Sequence, residues 1–217
     1  MNNHDLPVAI IGGGPVGLSA AAHLKKSNSP FILFEAGGQI GANILKWGHV
    51  RLFSPWEYNI DKVAETLLRE AQIPIPNKEY VPYGNEVIND YLKPLANLKG
   101  IKENIHVNSK VIAIGRNGLD KMKNDKREEL PFSIQVIENG KFNIYEAKSV
   151  IDASGTWNSP NPVGSGGIFA VGEIENRAKI YYGMPDINET DMAKYANKTT
   201  LVVGAGHSAI GSILALN

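Results

Sequence analysis

Cysteine is absent from the 217 residues, which removes a disulfide scaffold, a thiolate metal site and a cysteine nucleophile or redox pair from this stretch. Net charge is absent as well. Twenty-two basic residues balance 22 acidic ones, so no overall field draws in nucleic acid or an anionic membrane surface, and neither is expected as a partner. Long hydrophobic runs are missing too. The one apolar stretch near the start is broken by Pro15 and several glycines and follows Met-Asn-Asn-His-Asp, with no basic n-region, so it reads as neither a membrane span nor a signal peptide. The expectation is a cytoplasmic protein of one large or two small domains, with no metal site and with self-assembly left open.

The chain is organised around Val8 to Leu24. Val8-Ala9-Ile10-Ile11 is a short apolar run of buried-strand type, Gly12-x-Gly14-x-x-Gly17 follows without a spacer, and Leu18 to Leu24 are helix formers. In a strand, tight turn and helix of this kind the first glycine permits the turn, the second lets a pyrophosphate approach the backbone, and the third lets helix and strand pack closely. The unpaired N–H groups and positive dipole end of the helix then face the phosphates. Glycine turns also occur with no ligand. A second apolar run, Phe31 to Phe34, ends in Glu35, at the distance where a ribose-binding carboxylate belongs, and this favours a dinucleotide.

Beyond Glu35, Ala36 to Ala42 reads as a flexible turn region. Trp47 to Trp56 is an irregular aromatic loop, which is either pinned by Trp47, Phe53 and Trp56 as packing residues or a flap over a cofactor with Arg51 near a phosphate or ring. Asp61 to Ala71 and Asn85 to Lys99 have apolar faces at helical spacing, with Pro94 kinking the second. His106 to Ile114 reads as one bent strand or a strand pair. Phe132 to Ile137 and Phe142 to Tyr145 form a hairpin around Asn139-Gly140, and Asp120 to Glu129 is a solvated loop. Ser149 to Asp152 is a strand that ends in Ala153-Ser154-Gly155, small residues that permit close approach of a ligand. Trp157 to Gly167 has linker composition. Thr199 to Gly204 is again predicted as a strand, and Gly204-Ala205-Gly206-His207-Ser208-Ala209 opens a second glycine turn and helix, with Ala209 in the place of the third glycine.

These motifs, in this order and spacing, resemble those of the two-dinucleotide-binding-domain flavoproteins, and within them the flavin-containing monooxygenase-like branch. The resemblance implies an α/β fold: a doubly wound parallel, Rossmann-like FAD-binding sheet with a β-hairpin layer, plus the start of a second Rossmann unit for NAD(P). It divides the chain into an FAD-binding domain over residues 1–171 and, over residues 172–217, a linker with the first strand, turn and helix of the nicotinamide-nucleotide domain, about half of a family member. It places FAD on Gly12, Gly14, Pro15, Val16 and Gly17, with Glu35 and Ala36 at the adenosine ribose, backbone near Val111 at the adenine, and Arg51, Ala153, Ser154 and Gly155 on the flavin side. NADP falls to Gly204, Gly206, Ser208 and Ala209, and His207 in the same turn is either a further contact or a solvent-facing residue.

The implied chemistry is NADPH reducing a bound flavin that reacts with oxygen to oxygenate a small nucleophilic substrate, with no side chain named as catalytic acid or base. A reductase or oxidase that oxygenates nothing, and a non-catalytic FAD-binding protein, are the alternatives. The histidine-containing fingerprint that such monooxygenases carry before their second glycine motif is not matched around Ile180 to Asp186.

Overall fold

Four apolar residues without a charge, Val8–Ile11, make β1, the central strand of a parallel sheet. In the computed structural model, which describes residues 5–217, β1 pairs in register with β2 (Phe31–Phe34) on one side and with β7 (Ser149–Asp152) on the other. A short β3 (Ile105–His106) adds to the outside of β2 and completes the order β3-β2-β1-β7. The first four residues of the expected FAD-binding unit lie outside the described residues.

The helix α1 (Pro15–Lys26) returns the chain between β1 and β2. Proline at its first turn costs no hydrogen bond, and His23, Lys25 and Lys26 suit the negative end of its dipole. Short turns α2 (Ala42–Leu45) and α3 (Trp56–Asn59) precede α4 (Lys62–Glu70). The side chain of Asp61 caps α4 by accepting the N–H groups of Val63 and Ala64, both at 2.9 Å.

Residues 84–96 are helical throughout, but not α-helical throughout. Between α5 (Gly84–Glu86) and α6 (Lys93–Ala96), Val87–Leu92 form a π-helical turn, in which the N–H of Lys93 reaches back to the carbonyl of Ile88. The sequence predicts a kink at Pro94, and the wider turn just before it is how the chain accommodates a residue with no N–H to donate.

The two faces of the parallel sheet are covered differently. Val8, Ile10, Phe31 and Leu33 pack under α1, α4 and residues 87–98 in the larger core. Ala9 and Phe34 point to the other side and meet Ile134, Val136 and Ala147. Those three belong to an antiparallel sheet of β4 (Ser109–Arg116), β5 (Phe132–Glu138) and β6 (Lys141–Ala147). The hairpin between β5 and β6 turns at Asn139 and Gly140, both with positive φ, as Asn-Gly predicts. The result is a helix, parallel-sheet and antiparallel-sheet sandwich of the α/β class, as expected.

Two expectations are corrected. Ala36 to Ala42 is not a loose turn: Gly41 donates to the carbonyl of Gly13 at 3.0 Å and Ile40 is buried. Thr199 to Gly204 does not form a strand. A strand needs a neighbour to take its N–H and carbonyl groups, and among the described residues none pairs with this segment, where Leu201 and Val203 are exposed. The helix predicted after them does form, as α8 (His207–Leu216), preceded by a short α7 (Met192–Tyr195).

Candidate functional site

From β1 the chain moves through β2 to β3 on one side, while β7 lies on the other, so the strand order reverses at the carboxyl end of β1. Open α/β sheets bind ligands in the crevice outside that point. The first glycine turn sits there. Gly12 has φ +103°, and a Cβ on it would lie 2.5 Å from the carbonyl oxygen of Ala153, so both its conformation and the neighbouring chain require glycine. Gly17 carries a different constraint. A Cβ there would lie 1.9 Å from the carbonyl oxygen of Gly12, which is how closely α1 approaches its strand.

Gly14 is held by neither. Its backbone is extended and a Cβ would meet no atom within 4 Å. It is the N-cap of α1 and offers no side chain to the helix, so no capping side chain takes up the first-turn amides. A glycine N-cap also leaves room for an anion to approach the first-turn amides.

Glu35 lies beneath this turn, 9% exposed. Its carboxylate accepts the N–H of Gly13 through Oε2 and of Gly37 through Oε1, each at 2.7 Å. Each oxygen keeps lone-pair capacity for a further donor such as a ribose hydroxyl. The backbone of Glu35 is tied at both ends, with its N–H on the carbonyl of His106 and its own carbonyl accepting from Ser109. Ala36 and Gly37 follow directly, and β4 brings Val111 close by, at a bulge that shifts the pairing between Val111 and Ala113. On the opposite side of the turn, Asp152 accepts the N–H and hydroxyl of Ser154 at 3.0 and 2.6 Å. The Ser154 hydroxyl and then its amide hold the Asp152 carboxyl below its ordinary range, and Gly155 turns the chain away with φ +67°. Gly12, Gly14, Pro15, Val16, Gly17, Glu35, Ala153 and Ser154 are thus brought to one edge of the sheet.

Arg51 is exposed. Its Nε donates to the carbonyl of Val81 at 3.1 Å and its guanidinium lies 5.7 Å from the Tyr80 ring centre. In the aromatic loop Trp56 is a core residue, Trp47 packs on Gly84, and Phe53 is 75% exposed. Phe53 stacks on His207 with ring centres 4.6 Å apart, a pairing that no sequence periodicity announces.

The second glycine turn repeats the backbone of the first. Gly204 has φ +132°, and Gly206 caps α8 with φ −84° and ψ 177°, close to the −84° and −170° of Gly14. A Cβ on Gly206 would also meet nothing within 4 Å. Ser208 and Ala209 lie in the first turn of α8. Glu173 is a buried structural acceptor for the N–H groups of Val163 and Ala170 and the hydroxyl of Tyr182. Among the described residues no group of His, Asp and Glu is arranged to hold a metal ion, and no helix is long and apolar enough to cross a membrane.

Comparison with known proteins agrees with this fold. Thiamine thiazole synthase of Thermotoga maritima is 37% identical over 78 residues, which are 36% of this chain and 30% of that protein. Bacillithiol disulfide reductase Bdr (YpdA) from Bacillus cereus superposes with a TM-score of 0.64 at 22% identity, over 97% of this chain and 55% of that one. OTEMO in complex with FAD and NADP gives 0.50 at 17% identity, over 69% of this chain and 25% of that one. The chain therefore spans between a quarter and just over half the length of these proteins. The family model for pyridine nucleotide-disulphide oxidoreductases matches residues 9–217, and the chain belongs to that family.

Proposed function

We propose that residues 1–171 bind FAD and that residues 172–217 begin a unit for NADP, so that the protein is a flavin-dependent oxidoreductase reduced by a nicotinamide nucleotide. The observation that carries this reading is the pairing of Gly14, open to an approaching pyrophosphate, with the buried Glu35 carboxylate beneath it. In the reading, the first-turn amides of α1 hold the pyrophosphate, Glu35 the adenosine ribose, and the Ala153 to Gly155 turn borders the flavin. The matching backbone of Gly204 and Gly206 supports a second dinucleotide. Bound FAD would supply hydride acceptance and onward electron transfer, and this chain's residues bind and orient it. Titration of the purified chain with FAD, followed by flavin fluorescence, tests the site. Stoichiometric binding is expected, and no uptake by a folded chain would refute the reading.

For the electrons' destination we take oxygenation of a small nucleophilic substrate as the first reading, on the motif resemblance. NADPH, a proton, dioxygen and substrate then give NADP⁺, oxygenated substrate and water. The second reading is reduction of a small-molecule disulfide to two thiols. It is favoured by the unmatched histidine fingerprint and by the overlap of 97% of this chain with a bacillithiol disulfide reductase. Oxygen uptake matched to NADPH consumption separates the first from the second, which consumes NADPH without oxygen.

A further inference from the structure

Glu138 stands on β5, in the antiparallel layer, yet its carboxylate reaches the edge of the parallel sheet. Oε1 lies 2.8 Å from His106 Nδ1 and 3.3 Å from the Ser109 hydroxyl, whose one proton is shared with the nearer carbonyl of Val107 at 3.0 Å. Oε2 accepts the Tyr145 hydroxyl at 2.7 Å and the Asn143 amide at 3.4 Å. The group is only partly exposed, the Ser109 side chain is buried, and the Phe34 ring packs on both His106 and Tyr145. His106, Tyr145 and Asn143 on one half-buried carboxylate, with the Ser109 hydroxyl shared beside them, make a network that is costly to leave partly satisfied.

What this network holds is the short connection from β3 to β4, and that connection holds Glu35. The carbonyl of His106 accepts the N–H of Glu35 at 2.8 Å, and the N–H of Ser109 donates to the carbonyl of Glu35 at 2.9 Å. Between them, Asn108 donates to the carbonyl of Gly37 at 2.8 Å and accepts from Asn139, the residue after Glu138, at 2.9 Å. His106 and Ser109 therefore clamp the Glu35 backbone from both sides, and the His106 ring is fixed on Glu138 Oε1, with the Ser109 hydroxyl shared between that oxygen and the carbonyl of Val107.

We propose that Glu138 is a positioning residue for Glu35. It sets the Glu35 carboxylate under the glycine turn and so acts on adenosine recognition from the far side of the sheet, without touching the nucleotide. The inference rests on the FAD reading for its effect on binding, though not for its effect on Glu35. A purely structural role, stapling the antiparallel layer to the sheet, would stabilise the fold but leave the Glu35 carboxylate where it is.

The two roles are separated by the amide protons of Gly13 and Gly37. They donate to Glu35 at 2.7 Å, and such short bonds to a carboxylate shift amide resonances downfield. In Glu138→Gln one acceptor oxygen must serve donors that now use two. Expected in the ¹⁵N-labelled full chain are upfield movement of both resonances and a loss of about tenfold or more in FAD affinity, as the fraction of chains with Glu35 in place falls. Gly140→Ala is the control. It strains the same hairpin at φ +79° with nothing within 4 Å of the new Cβ, so it should lower the melting temperature while leaving both resonances and FAD affinity unchanged. A stability loss in Glu138→Gln with both resonances and FAD affinity unmoved overturns the proposal. If that variant does not fold, Tyr145→Phe, which removes one donor and keeps the carboxylate, should move the same resonances by a smaller amount, and unmoved resonances there overturn it equally. Failure of the unaltered chain to take up FAD would refute the FAD reading, whereas the two resonances would still decide the role of Glu138.

Discussion

Gly14 and Gly17 are three residues apart in one motif, and the structure gives them opposite sensitivities. At Gly14 the backbone is extended, which a β-branched residue adopts readily, and a Cβ would meet no atom within 4 Å. Replacing a glycine N-cap with valine costs under about 1 kcal/mol in the absence of nucleotide. For a domain of this size that is a melting-temperature change of no more than about 2–4 °C. At Gly17 a single added methyl would sit 1.9 Å from the carbonyl oxygen of Gly12, a backbone atom that moves only if helix and strand part. Overpacking of that kind costs about 1–3 kcal/mol or more, or roughly 2–12 °C. Gly14→Val should therefore keep its nucleotide-free stability and lose FAD, because the side chain fills the space that a pyrophosphate would enter, while Gly17→Ala should lose stability first. The assay is thermal unfolding by circular dichroism with and without FAD, beside fluorescence titration with FAD. Either of two results would refute the reasoning: a folded Gly14→Val chain that binds FAD as the unaltered chain does, or nucleotide-free melting temperatures that fall equally in the two variants.

Glu35→Ala orphans the buried N–H of Gly13 and that of Gly37, so a stability loss of about 1–3 kcal/mol is expected before any nucleotide is added, measured by urea unfolding, together with weaker FAD binding. Asp61→Ala removes the two capping bonds of α4 and should cost about 0.5–2 kcal/mol with FAD affinity unchanged in the same titration. The pH dependence of stability should fall off on both sides of neutrality through one pair. Burial and then the Glu138 carboxylate raise the Tyr145 hydroxyl from 10.0 to about 12, so its contribution is complete below pH 10 and is lost as pH rises towards 12. Hydrogen bonds from Tyr145 and then His106 hold Glu138 below its usual 4.5, so its contribution is present above that value and is lost as pH falls beneath it. Tyr145→Phe should flatten the alkaline limb of melting temperature against pH, and an unchanged limb would count against the pairing.

What the sequence by itself determined are the features whose causes lie within a few residues. The β1 strand, glycine turn and α1 follow from an apolar run, three glycines and helix formers in succession. Asp61 caps α4, Asn139-Gly140 turns the hairpin, and Pro94 disturbs its helix, each through its own backbone chemistry. Glu35 was legible as a site residue from its spacing, but its partners were not. The amide of Gly37 is two residues away, but that of Gly13 and the clamp from His106 and Ser109 come from distant segments, and Glu138 lies about a hundred residues along, where the sequence marks a hairpin turn and no site. Thr199 to Gly204 reads as a strand because its residues favour extended backbone, yet a strand exists only where a neighbour accepts and donates along its edge. Arg51 was a candidate from its aromatic loop and His207 from its place in the second glycine motif, while the Val81 carbonyl and the Phe53 ring beside them come from tertiary contacts. Hydrogen bonds, stacking and strand pairing need two partners at fixed geometry, and only the folded chain supplies the second.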